Sequence, residues 1–174
     1  MTKKSITDNF VETLKSVLGK ELSLIYSNTL NYTFKSDNLT IMEPAIFGIG
    51  DDFFYIDHTE FETKDFEEYY ILDIKKQLTP KPLPHDISEL NSVIFKKPIS
   101  TVSVWSTITQ IIVYISEERE NVRVNNEVNG IEFIFDNNKC LLLRPNSPSG
   151  SSITFNQKEI TTFKKYSKEI YYID

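Results

Sequence analysis

Asp57 and His58 are adjacent, and Asp51, Asp52 and Glu60 lie only a few residues away. Hard divalent cations take several carboxylate oxygens, so this cluster could hold a metal, and a carboxylate beside a histidine could serve a small hydrolase. The spacing fits no calcium loop, and the only other histidine, His85, completes no H-E-x-x-H pattern. A solvated turn is therefore the better reading, and neither a metal nor another cofactor is expected. Cys140 is the single cysteine, which excludes an internal disulfide and a multi-cysteine zinc site. It falls in a strand beside Phe133, Phe135 and Leu142, where a thiol is expected to be inert. Ser149-Gly150-Ser151 lacks the G-x-S-x-G elbow, and no Walker loop or dinucleotide fingerprint occurs. With no catalytic constellation, the chain is not expected to be an enzyme.

The segment from Asp51 to Asp73 departs from an ordinary soluble sequence. It holds nine acids against Lys64, a net −8, so with the whole chain at −6 the other residues together carry +2. The same stretch contains seven of the 22 aromatics: Phe53, Phe54, Tyr55, Phe61, Phe66, Tyr69 and Tyr70. Aromatics facing a core with acids facing water would explain the pattern without any function. A concentrated negative face can instead steer a cationic partner, with an outward aromatic as anchor. The candidate contact residues are Asp51, Asp52, Phe53, Phe54, Asp57, Glu60, Glu62, Asp65, Phe66, Glu67 and Glu68.

These residues must be held by strands. One alanine, five glycines and 21 isoleucines disfavour helix, and with 13 asparagines, 16 lysines and only three arginines the composition reads as the imprint of an AT-rich, bacterial genome. Phe10, Leu14 and Val17 share a helical face, which predicts a helix over 8–18 capped by Thr7 or Asp8 and closed by Gly19. From Leu22 the period becomes two, predicting short strands at 22–26, 32–34 and 39–41. Strands at 45–49 and 53–56 flank an acidic turn at Gly50-Asp51-Asp52, and 68–76 is read as strand rather than helix. Pro80, Pro82 and Pro84 predict an extended connector. Between Thr101 and Ile115 the apolar parity changes from even (Val102, Val104, Ile108) to odd (Ile111, Val113, Ile115), so a bulge or turn is expected near Thr109-Gln110. Ile131–Asp136 and Lys139–Arg144 flank Asn137-Asn138, a two-residue hairpin loop that would pair Phe135 with Cys140 and Phe133 with Leu142. The tail is expected to be a short helix on Ile160 and Phe163 or a last strand over 170–173. The expected fold is α+β: one domain over 1–174, with an N-terminal helix packed on a twisted antiparallel sheet, sandwich or partial barrel.

A pI near 5.0 argues against sequence-independent nucleic-acid binding. The longest uncharged run, from Pro98 to Ser116, is too rich in Pro, Ser, Thr and Gln to span a membrane, and the N-terminal residues carry no apolar export run, so a cytoplasmic location is expected. The strand pattern of Ile99-Ser100-Thr101-Val102-Ser103-Val104-Trp105, followed by Gly130-Ile131-Glu132-Phe133-Ile134-Phe135-Asp136-Asn137-Asn138-Lys139-Cys140-Leu141-Leu142-Leu143, resembles the bacterial immunity proteins that neutralise polymorphic toxins, including those of contact-dependent growth inhibition. The resemblance is one of pattern and acidic composition over about the last half of the chain. It implies a non-enzymatic inhibitor whose partner is a cationic, nuclease-like toxin domain, and it transfers no individual residue. The alternatives are a small hydrolase using Asp51, Asp52, Asp57 and His58, or a phage or surface structural protein.

Overall fold

The computed structural model describes residues 6–33, 37–41, 45–62, 68–116, 128–146 and 150–174. Strand occupies 59 % of the residues, more than twice the usual share. The chain is thus mostly β, and the α+β expectation of one N-terminal helix on a sheet is corrected. Helix is confined to two eight-residue pieces, α1 (Asp8–Lys15) and α2 (Gln157–Lys164), one near either end. The strands are β1 (Glu21–Ser27), β2 (Leu30–Thr33), β3 (Asn38–Ile41), β4 (Ala45–Ile49), β5 (Asp52–Glu62), β6 (Glu68–Gln77), β7 (His85–Ile87), β8 (Val93–Phe95), β9 (Ser100–Ser116), β10 (Val128–Phe135), β11 (Cys140–Pro145), β12 (Ser151–Thr154) and β13 (Ser167–Ile173).

Eleven strands form one antiparallel sheet in the order β2-β3-β12-β11-β10-β9-β1-β4-β5-β6, with β13 also on β9. The sheet folds over itself: β6 packs across the core against β10 and β11, and the Phe47 and Phe133 rings meet at 6.1 Å. The result is broadly a sandwich whose halves are joined through β9. One core runs between them, from Phe10 and Leu14 of α1 through Ile25, Phe54 and Ile74 to Ile111, Phe133 and Leu143.

The seventeen residues of β9 serve both halves because the strand bulges twice. Its start pairs with β1, but the register moves from Leu22↔Ser106 to Leu24↔Ser103, so two β9 residues oppose Ser23. One of them, Trp105, has φ +50°, a conformation rarely adopted outside glycine. The second bulge lies at Thr109, between Ile108↔Phe135 and Gln110↔Ile134, where the Thr109 hydroxyl donates to the Ile134 carbonyl at 3.1 Å. Ile108, Ile111 and Val113 thereby all reach the main core, as the parity change near Thr109 predicts.

Three other expectations change. Helix α1 begins where predicted, with Thr7 Oγ1 accepting from the Phe10 N–H, but it stops at Lys15 and passes through a tighter turn to Gly19 at φ +71°. The proline segment is not extended: the Leu83 N–H donates to the Pro80 carbonyl at 2.9 Å, closing a turn that buries Leu83. The β10–β11 loop has three residues, Asp136-Asn137-Asn138, not two. Asn138 takes φ +60°, and the Phe135 N–H meets the Lys139 carbonyl at 3.0 Å. The register is therefore Ile134↔Cys140 and Phe133↔Leu141, one residue from the expected pairing. The tail contains both expected alternatives, α2 and then β13.

Candidate functional site

The acidic segment folds into the β4–β5 turn and the long β5–β6 hairpin. Gly50 at φ +57° makes the turn, leaving Asp51 exposed at its tip, and β4 pairs with β5 only from Asp52 to Ile56. Beyond Ile56, β5 is paired with β6 alone among the described residues. The site therefore has a base on the sheet and an arm past it.

Alternation on β5 separates the candidate residues. Phe54 is fully buried, so it is removed from the list of contact residues. Phe53 points the other way and is half-buried, its ring 6.1 Å from that of Tyr26, which in turn lies 5.6 Å from Phe95 of the small β7–β8 hairpin. Asp57 shares the parity of Phe53, whereas Asp52 and His58 share that of Phe54, so the strand does not gather Asp52, Asp57 and His58 on one face. The His58 Nε2 accepts the Gly150 N–H at 3.0 Å, tying the hairpin to the loop before β12. Among the described residues no three His, Cys, Asp or Glu side chains converge as a metal site would require.

Lysines from outside the acidic stretch neutralise the base of the hairpin, which the sequence count of one lysine did not anticipate. Asp52 is bridged by Lys76 at 2.8 Å and Lys20 at 3.4 Å. The Lys76 hydrogen bond holds its carboxyl below the ordinary range, against an opposing effect of burial and with further help from Lys20. Asp57 and Asp73 face each other across the two strands and share Lys75, at 3.1 and 3.2 Å. Burial works against the Lys75 charge, but its hydrogen bonds to Asp57 and Asp73 outweigh it and raise the pKa. Farther along the arm the register sets Glu60 opposite Tyr70 and Glu62 opposite Glu68. Asp65, Phe66 and Glu67 lie outside the described residues. Lysines thus bridge Asp52, Asp57 and Asp73 in the described part of the hairpin.

A second polar cluster escaped the sequence reading. Glu132 on β10 is completely buried; it accepts the Tyr114 hydroxyl and, at 3.0 Å, the ammonium of Lys164 from α2. Cys140 lies on the same face, with Ile134, Phe163 and the buried Ile112 and Ile160. The signal was present in Gly130-Ile131-Glu132-Phe133-Ile134, where a lone acid interrupts a run apolar on both faces. The arrangement anchors α2 to the sheet.

Comparison with protein-family models, curated proteins and solved structures returns no match for this chain.

Proposed function

We propose that the protein is a non-enzymatic inhibitor, an immunity protein that binds a cationic, nuclease-like toxin domain through the β5–β6 arm. The observation that carries this reading is the gathering of acids on one hairpin: β5 and β6 carry Asp52, Asp57, Glu60, Glu62, Glu68 and Asp73, and past Ile56 the hairpin runs beyond the described part of β4. Such a face attracts a phosphate-binding active site for the same reason nucleic acid does, and competes with it. Asp51 extends the negative surface at the neighbouring turn. Phe53, already packed on Tyr26, is the outward aromatic available as an anchor. No helix among the described residues is long and apolar enough to cross a membrane, and a cytoplasmic site of action is part of the proposal.

The proposal expects a neighbouring reading frame whose product ends in a basic, nuclease-like domain, and the test uses that domain as the binding partner. Its association with the wild-type protein should slow by about tenfold or more as salt rises from 0.01 to 0.15 M and the Debye length shrinks from about 30 to about 8 Å. The combined substitutions Glu60→Lys, Glu62→Lys and Glu68→Lys should remove most of that dependence and the neutralisation of nuclease activity, with an unchanged melting transition as the folding control. Unchanged neutralisation and salt dependence in that folded variant would exclude the arm as the interface.

A further inference from the structure

Apart from the acidic arm, the sandwich has an open seam of a different chemistry. The first part of β9 pairs with β1 along one edge. On its other edge β10 pairs only from Ile108 onward; past that point the Asp136 N–H donates to the Thr107 carbonyl and the Asn137 side-chain amide to Ser106 Oγ, each at 3.0 Å. From Ser100 to Ser106, β9 has no second strand neighbour among the described residues. Strand β2, at the end of the sheet order, pairs with β3 alone among the described residues.

A groove of about 570 Å³ lies between these edges, in the size range of ligand sites. Its wall on β9 is formed by Thr101, Val102, Ser103, Val104 and Ser106. Contact with consecutive residues of both parities means that the groove meets the strand edge-on, where main-chain N–H and C=O groups project, rather than on one face. Its floor is apolar: Leu30, Val102, Val104 and Phe155 pack on the main core yet stay only partly covered. Asp37 and Lys139 lie on its rim with opposite charges, so the seam favours neither an anion nor a cation. Trp105 stands beside it, 60 % exposed and held at positive φ.

We propose that this seam binds an extended peptide segment of a partner protein, which adds to the open edge of β9 as a further antiparallel or parallel strand. The main-chain donors and acceptors of Ser100 to Ser103, before the bulge at Trp105, keep strand spacing and are matched by another peptide main chain. A lipid or nucleic acid offers no such repeat. The apolar floor takes the alternate side chains facing inward, so the partner segment carries apolar residues at every second position, and Trp105 covers the strand from outside. The proposal is independent of the acidic arm.

A library of random twelve-residue peptides displayed on phage and selected on the full chain tests it. Selected peptides should alternate apolar and polar residues. Their affinity should fall about tenfold or more for the variant Tyr32→Arg with Ser103→Arg, whose two positions are exposed, and stay unchanged for Asp51→Lys. In hydrogen exchange, the bound peptide should protect amides within 101–106. N-methylation of alternate peptide amides should abolish binding, while methylation of the intervening ones should be tolerated. Failure to select any peptide overturns the proposal, as does binding insensitive to the double variant. Binding that needs apolar side chains but tolerates methylation at every amide would make the seam a pocket for small apolar groups, and the strand-addition proposal fails.

Discussion

Cys140 senses the one-residue change of register in the β10–β11 hairpin. Pairing with Ile134 turns it away from Phe133 and toward Glu132, whose charge and hydrogen bond add to burial and push the thiol up to about 11. At pH 8 such a thiol is about one part in a thousand thiolate, against about one part in ten for a cysteine at the ordinary value of 9.0. Native-state labelling by a thiol reagent should accordingly be slow at pH 8 and approach the unfolded-state rate only near pH 11. Rapid labelling at pH 8 would contradict this environment. The stability associated with the neutral thiol is present below the ordinary value of 9.0 and is lost as pH rises toward 11. Glu132 itself depends on Lys164. Lys164→Met strands a buried carboxylate and should cost about 3 kcal/mol in urea unfolding, and Glu132→Leu added to it should recover most of that loss. Strictly additive losses would show that the two side chains are not coupled. Asp52 gives the opposite pH sign. Its pKa is lowered from 3.8, so its contribution is complete above that value and fades as pH falls through the folded value. In urea titrations below pH 4 the wild type should therefore lose more stability than Lys76→Met, which has already lost the leading interaction.

The bends of individual elements rest on a few unusual backbone positions. Asn138 at φ +60° closes the three-residue loop, so Asn138→Gly should be neutral or slightly stabilising and Asn138→Val should cost about 1–2 kcal/mol, read by thermal or urea unfolding. Equal stability of the two variants would remove the left-handed residue from the account of this register. The hairpin also marks where sequence reading stops. Asn137-Asn138 announced a turn, but two-residue and three-residue loops share that composition, and the choice falls to tertiary packing, in which Ile134 and Cys140 join Ile160 and Phe163 of α2 on one face. Strand β9 was more legible because its parity change is written in the apolar residues themselves. The bulge at Trp105 left no such mark, since Val102 and Val104 sit on its near side and the tryptophan faces water. The acidic segment was legible as a charge imbalance, whereas the bridging of Asp52 was not: Lys20, just before β1, and Lys76 of β6 reach it from 32 and 24 positions away in sequence.

At the level of the whole molecule, the shared strand β9 couples the two halves of the sandwich, so they should melt together. Calorimetry is expected to give one transition with equal calorimetric and van't Hoff enthalpies. Two separated transitions would show that the halves are independent. The same order of strands that closes the core also sets how quickly it can form. β3 finds its neighbour across Asn38↔Thr154, and β1 finds β9 across Leu22↔Ser106, so much of the sheet must wait for segments separated by 84 to 116 positions to meet. Local strands such as β4 and β5 can pair early, but they do so with β3 and the first part of β9 still unmatched. Nonlocal all-β topologies of this kind refold on the millisecond-to-second scale rather than in microseconds. During that interval the chain exposes adhesive strand edges, so recovery on refolding should decline with protein concentration even where the native state is amply stable.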